Sequence, residues 1–160
     1  MPPDPTIAPV ATAADLAAVR ALFQAYADGL TIDLAYQDFA GELAALPGDY
    51  APPRGALLLA RDAAGLPIGC VALRPRGADD LCEMKRLYVA PPARGTGLGA
   101  GLMRAIIAAA RDMGYRAMRL DTLLDMRAAQ AMYAAAGFRP IAPYYDGAAP
   151  GTIFLELTLN

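Results

Sequence analysis

The sequence predicts an α/β fold built on a mixed sheet. Short apolar runs at 56–61, 68–73 and 81–89 have strand length, while apolar spacing over 12–26 and 98–113 is helical. Strand, glycine-rich turn, helix and strand follow one another over 81–121. Such a unit should close as a right-handed parallel crossover. With 160 residues, 56% hydrophobic and 19% charged, the chain suits one core and a single domain over 1–160.

Residues 1–5 read as a loose tail, and Thr6 to Val10 as a short strand. Thr12-Ala13-Ala14-Asp15 has the form of a capping box, after which Leu16, Val19, Phe23 and Tyr26 recur at helical spacing. A second helix is expected over Ile32 to Leu46, with Tyr36, Phe39, Ala40 and Leu43 on one face, stopped by Pro47-Gly48. A Pro-rich loop covers 49–55. Strands at Ala56–Arg61 and Ile68–Leu73 flank the turn 62–65 and form a hairpin. A third strand runs Leu81 to Val89. The helix Leu98 to Met113 should bury Leu98, Leu102, Ile106, Ala109 and Met113, and Gly114 ends it. A strand around Met118 and Leu120, a helix over Asp125 to Ala136, and strands at 138–142 and 152–159 complete the chain.

Composition excludes several kinds of chemistry. There is no histidine, so neither a Ser-His-Asp nor a Cys-His triad can form, and most zinc sites are ruled out. No metal is expected. Cys70 and Cys82 fall in apolar runs and read as buried, reduced thiols. No apolar run approaches the ~20 residues of a membrane span, and the N-terminus lacks the features of a secretory signal. A cytoplasmic protein with no membrane partner is therefore expected. The net charge is −2, unevenly spread. Residues 1–82 hold ten acids and five bases, 83–119 two acids and seven bases, and 120–160 four acids and two bases. The basic block contains the glycine-rich turn, which suits a ligand with several phosphates. Its bases are dispersed and not interleaved with aromatics, so no nucleic-acid partner is expected.

The turn itself reads Arg94-Gly95-Thr96-Gly97-Leu98-Gly99-Ala100. A helix opening at such a turn offers N–H groups without intrahelical acceptors, a dipole of the right sign, and a backbone that a phosphate can approach closely. Two pyrophosphate owners fit. The run matches the dinucleotide fingerprint G-x-G-x-x-A, and Asp121 falls where a ribose-binding acid is expected. Against this, residues 90–94 separate strand from glycines, and the unit lies in mid-chain.

The second owner follows from a resemblance. Arg94, Gly97 and Gly99 match the Arg/Gln-x-x-Gly-x-Gly/Ala signature of the GCN5-related N-acetyltransferases (GNAT). Leu87-Tyr88-Val89-Ala90-Pro91 resembles the strand that leads into that turn. Ala129, Tyr133 and Gly137-Phe138 match a second signature, Ala-x-x-x-Tyr-x-x-x-Gly-Phe. Met126 stands where many members carry Asn, which removes the basis for a polar contact there. The resemblance implies a GNAT-like, mostly antiparallel sheet with a parallel strand–helix–strand core, splayed at the acetyl-CoA site. It places the pyrophosphate on Arg94, Gly95, Thr96, Gly97, Leu98, Gly99 and Ala100. The pantetheine arm would lie beside Leu87, Tyr88 and Val89, with one N–H there polarising the thioester carbonyl.

The implied activity is acetyl transfer from acetyl-CoA to a primary amine of a small molecule, by direct attack. A CoA-binding module without catalysis is the alternative, and a homodimer stays open. An alkyl amine of pKa about 10 must lose a proton before it attacks. Strand alternation puts Glu83, Lys85, Leu87 and Val89 on one face, which makes Glu83 a candidate base, with water as its competitor. Tyr133 is the candidate acid for the departing thiolate, against an ordinary packing role. The resemblance walls the acceptor with the first two helices and the last loop, hence with Tyr26, Asp28, Tyr36, Tyr144, Tyr145 and Asp146. Tyrosines beside carboxylates suit a small cationic amine rather than an anionic or polymeric acceptor.

Overall fold

A computed structural model describes residues 4–160, the Tyr36 side chain apart. Its elements are β1 (Thr6–Pro9), α1 (Ala13–Asp28), α2 (Phe39–Ala45), β2 (Ala56–Arg61), β3 (Pro67–Pro75), β4 (Leu81–Val89), α3 (Leu98–Asp112), β5 (Ala117–Leu123), α4 (Arg127–Ala136), β6 (Arg139–Pro140) and β7 (Thr152–Thr158). They build one sheet in the order β1-β2-β3-β4-β5-β7-β6. Every neighbouring pair is antiparallel except β4–β5. A dinucleotide fold needs a parallel, doubly wound sheet, so that alternative fails.

Local chemistry explains most boundaries. Thr12 Oγ1 accepts from the Asp15 N–H (3.1 Å) and Asp15 Oδ2 accepts from the Thr12 N–H (3.2 Å), which closes the capping box on α1. The second helix is broken. A 3-10 turn over Leu34–Gln37 ends at Asp38, whose φ of 53° is left-handed, and α2 starts only at Phe39. Asp is one of the few residues that adopts this geometry readily, and periodicity alone does not reveal it. The strand expected at 138–142 shrinks to two residues, and the helix expected from Asp125 begins at Arg127. α3 buries Leu98, Leu102, Met103, Ile106, Ile107 and Ala110, a wider stripe than expected, and leaves Ala109 and Met113 at its border.

Two apolar layers cover the sheet. Beneath α3 and α4 lie Val71, Leu73, Cys82, Met84, Met118 and Leu120. Beneath α1 and α2 lie Leu57, Leu59, Cys70 and Ala72, packed by Val19, Phe23 and Tyr50. No helix among the described residues is long and apolar enough to cross a membrane.

β4 departs from simple alternation, and this positions the site. Lys85 faces Ala72 and Tyr88 faces Cys70, so two residues of β4, Arg86 and Leu87, oppose the single Val71. Arg86 absorbs the bulge with φ 60°. Side chains after it change face. Leu87 and Val89 join the layer under α3 with Cys82 and Met84, while Tyr88 packs on the opposite layer. The expectation that Glu83 and Lys85 share a face with Leu87 and Val89 is therefore corrected.

Candidate active site

β4 and β5 pair only through Leu81, Cys82 and Glu83. Beyond Glu83 the strands part, and the free edge of β4 opens onto a cleft lined by Met84, Leu87, Leu120, Thr122, Met126 and Tyr133. The mouth of the cleft is walled by Tyr88, Val89, Arg94 and the start of α4. Met126, three residues ahead of the second signature, accepts a hydrogen bond from the Thr122 hydroxyl at its sulfur (3.7 Å) and lines the cleft.

The glycine-rich turn stands at that mouth. Gly95 (φ 77°) and Gly97 (φ 87°) are both left-handed, and a Cβ at either would meet nothing within 4 Å. The glycines thus serve backbone geometry and open space, not packing. The first intrahelical bond of α3 runs from the Gly101 N–H to the Gly97 carbonyl (3.1 Å). The N–H groups of Leu98, Gly99 and Ala100 precede it and have no acceptor within the helix. Thr96 Oγ1 donates to the Ala93 carbonyl (2.5 Å), which fixes the turn. Arg94 donates from Nε to the Val89 carbonyl (3.0 Å) and lies 5.6 Å from the Tyr88 ring centre. It braces the strand end against the turn and leaves its terminal nitrogens at the mouth.

Tyr133 lies in the cleft wall, 7% exposed, with its ring edge-on to Phe138 at 5.6 Å. Its hydroxyl makes no hydrogen bond among the described residues. Burial pushes its pKa well above the ordinary phenol value, helped by nearby Tyr26 and Asp121. The group is therefore a stored proton at neutral pH. Its core packing and its place in the cleft are both real.

On the other face of the sheet lies a second cavity of about 320 Å³, lined by Gln37, Asp38, Arg74, Arg76, Glu83, Lys85, Tyr145 and Asp146. Glu83 is fully buried here. Its Oε1 accepts from Arg74 Nε at 2.8 Å and its Oε2 from the Tyr144 hydroxyl at 2.5 Å. Lys85 Nζ donates to Gln37 Oε1 (3.1 Å) and lies 3.6 Å from Asp121 Oδ1, while the Tyr145 hydroxyl donates to Asp121 Oδ2. Burial lowers the Lys85 pKa more than Asp121 and Glu83 raise it. For Asp121, burial acts upward, but Lys85, the Tyr145 hydrogen bond and Arg86 hold the carboxyl below its usual value. Burial and the adjoining Glu83 charge drive the Tyr144 hydroxyl far up, so it stays a donor.

The aromatic residues expected around the acceptor separate. Tyr145 lines the cavity, and Tyr144 holds Glu83. Tyr26 lies instead at the cleft between β4 and β5, edge-on to Tyr88 at 6.4 Å. Asp146 lines the cavity, whereas Asp28 accepts from Gln24 (2.8 Å) on the surface of α1. The Tyr36 side chain lies outside the described residues. The acidic lining expected from the sequence is corrected as well, since Arg74, Arg76 and Lys85 balance Asp38, Glu83 and Asp146. Sequence reading missed Arg74, Arg76, Gln37 and the ion-pair role of Asp121. A signal existed. Charges alternate with apolar residues in Glu83-Met84-Lys85 and Arg119-Leu120-Asp121, which puts a charged row on one sheet face.

Glu83 is fully buried and bonded to Arg74 and Tyr144, so a proton from a ligand in the cavity reaches this carboxylate through Tyr144 or a bridging water. Glu83→Gln is expected to lower kcat/KM most at low pH, where little free amine exists. A pH–rate profile superimposable on the parent's would assign the base role to water or another group.

Burial pushes the Cys82 thiol up to about 12, and Cys70 higher still, so neither offers a thiolate. Among the described residues, no three His, Cys, Asp or Glu side chains converge as a metal would require.

Residues 17–138 match the sequence profile of the acetyltransferase (GNAT) family. An uncharacterized N-acetyltransferase of Schizosaccharomyces pombe is 38% identical over 159 residues, covering 99% of this chain and 98% of that protein. An acetyltransferase of the GNAT family from Staphylococcus aureus superposes with a TM-score of 0.81 at 18% identity, over 98% of this chain and 100% of that one. The Salmonella typhimurium protein yncA, solved with its cofactor acetyl-CoA, gives 0.73 at 23% identity, over 99% of this chain and 95% of that one. At those identities the two structures speak for the fold.

Proposed function

This chain belongs to the acetyltransferase (GNAT) family, and from that premise we propose that it transfers an acetyl group directly from acetyl-CoA to a primary amine of a small molecule. The observation that carries the reading is the open edge of β4 beside the glycine-rich turn. A strand-like amide arm and a pyrophosphate fit these two features together, and a lone phosphate would use only one.

The N–H groups of Leu98, Gly99 and Ala100 hold phosphate oxygens at the positive end of α3. Leu87, Tyr88 and Val89 offer backbone partners to the arm's amides, and a donor on this edge polarises the thioester carbonyl. Such a donor is typically worth ~3 kcal/mol in the barrier. Bound acetyl-CoA supplies the thioester, whose carbonyl carbon the amine attacks as the C–S bond breaks. Tyr133 donates its phenolic proton to the leaving sulfur. Glu83 takes the amine proton through Tyr144 or a water. The cavity on the Glu83 face receives the acceptor, and the cleft receives the donor.

Calorimetry with acetyl-CoA and with NAD, beside a thiol-release assay over a panel of primary amines, tests the reading. Micromolar binding of acetyl-CoA, no heat with NAD, and thiol release that depends on an amine are expected. Binding without any amine-dependent release would identify a CoA-binding module. Absence of acetyl-CoA binding would overturn the proposal outright.

A further inference from the structure

The acceptor cavity has a direction. Lys85 alone, among the described residues, lines both the cofactor cleft and the cavity, so it marks the reactive end. From there the β3–β4 register runs away from the cleft. Arg74 stands opposite Glu83, Pro75 opposite Cys82, and the Arg76 N–H donates to the Leu81 carbonyl (3.1 Å). Arg76 thus stands level with a residue four positions back along β4, at the far end of the same cavity.

Arg76 also differs from its neighbours in what it touches. Arg74 pairs with Glu83, Lys85 with Asp121, Arg86 with Glu42 and Arg119 with Glu156. Arg76 pairs with no carboxylate among the described residues. Its guanidinium lies over two rings instead, 5.3 Å from the centre of Tyr145 and 5.7 Å from that of Tyr144. A guanidinium held by ring faces keeps its N–H fork free in its own plane, which is the geometry that grips a carboxylate with two bonds. The balanced lining favours an acceptor of zero net charge over a polycation or a polyanion.

Resting on the acetyltransferase reading, we propose that the acceptor is a zwitterion whose primary amine meets the Lys85 end and whose carboxylate is held by Arg76. The backbones of Lys85 and Arg76 stand four strand residues apart, roughly 14 Å, and both side chains line the cavity between them, so their end groups are closer than that. An amine and a carboxylate separated by a chain suit two separate ends better than the pair on one carbon, and an ω-amino carboxylate is the class to test.

The test uses 6-aminohexanoate, with hexylamine, 1,6-diaminohexane and glycine as comparisons. In the parent, kcat/KM for 6-aminohexanoate is expected to exceed that of each comparison by about tenfold or more. Arg76→Gln should remove this advantage mainly through KM, with a larger loss for 6-aminohexanoate than for hexylamine. A preference for the diamine, or an equal loss with hexylamine, would overturn the proposal. Calorimetry of 6-aminohexanoate with the parent and with Arg76→Gln reads the carboxylate contact without turnover. Binding to the parent that weakens in the variant supports the proposal, and no binding to the parent rejects it. Thiol release absent with every amine would condemn the acetyltransferase reading while this binding result still decides the carboxylate site.

Discussion

Gly97→Asp is expected to abolish measurable acetyl-CoA binding while the fold survives. The backbone at Gly97 is left-handed, and a Cβ there would meet nothing within 4 Å, so the new side chain finds space. Asp tolerates this conformation at a cost of about 1 kcal/mol. Its carboxylate then lies beside the N–H groups of Leu98, Gly99 and Ala100. It competes for the same donors and repels the phosphates. One like charge at ~4 Å costs about 4 kcal/mol at an effective dielectric of 20, which is on the order of 10³-fold in affinity. Gly97→Ala has the same backbone strain without the charge and should bind far better than Gly97→Asp. Calorimetric Kd values, read beside melting temperatures, separate binding from unfolding. An affinity equal to the parent's in the Asp variant would move the phosphates to another site.

Tyr133→Phe is expected to lower the single-turnover rate of acetyl transfer by about 10²–10⁴-fold, the usual contribution of a positioned acid. Acetyl-CoA affinity should change little. The ring remains packed against Phe138, and the hydroxyl makes no hydrogen bond among the described residues whose loss would disturb the wall. Burial holds the phenol protonated across the working pH range, so the lost proton is one the parent always carries. Single-turnover measurement matters because a slow product release would hide the effect in kcat. A rate matching the parent's would reduce Tyr133 to a core aromatic.

The element order and the glycine turn were legible because each depends on neighbours in sequence. Gly95 and Gly97 take the left-handed geometry expected of such a turn, and Thr12 with Asp15 closes the expected capping box. Asp38 and Arg86 were not legible in this way. Each is a non-glycine residue with positive φ, one splitting the second helix and one bulging β4, and Arg86 is tied there to Glu42 from a distant part of the chain. The cavity on the Glu83 face was hardest to foresee, because its charges come from β3, β4, the segment before α2 and the loop after β6. Counting acids along the chain found Asp146 but not Arg76, which reaches the same cavity from another strand end.

The extra residue in β4 acts as a frameshift in space. A strand normally offers two readings, inward or outward, and a substitution changes a letter without changing the frame. Deleting Arg86 would set Leu87 opposite Val71 with the flanking pairs unmoved, so Leu87, Tyr88 and Val89 would keep their faces while Glu42 lost its partner. Position 86 is thus bound by two requirements that no other amino acid meets together. Glycine accepts the φ of 60° but leaves Glu42 without the guanidinium that grips both its oxygens at 2.9 Å. Lysine keeps a charge but lacks the fork. Arg86 should therefore tolerate substitution less well than the residues around it.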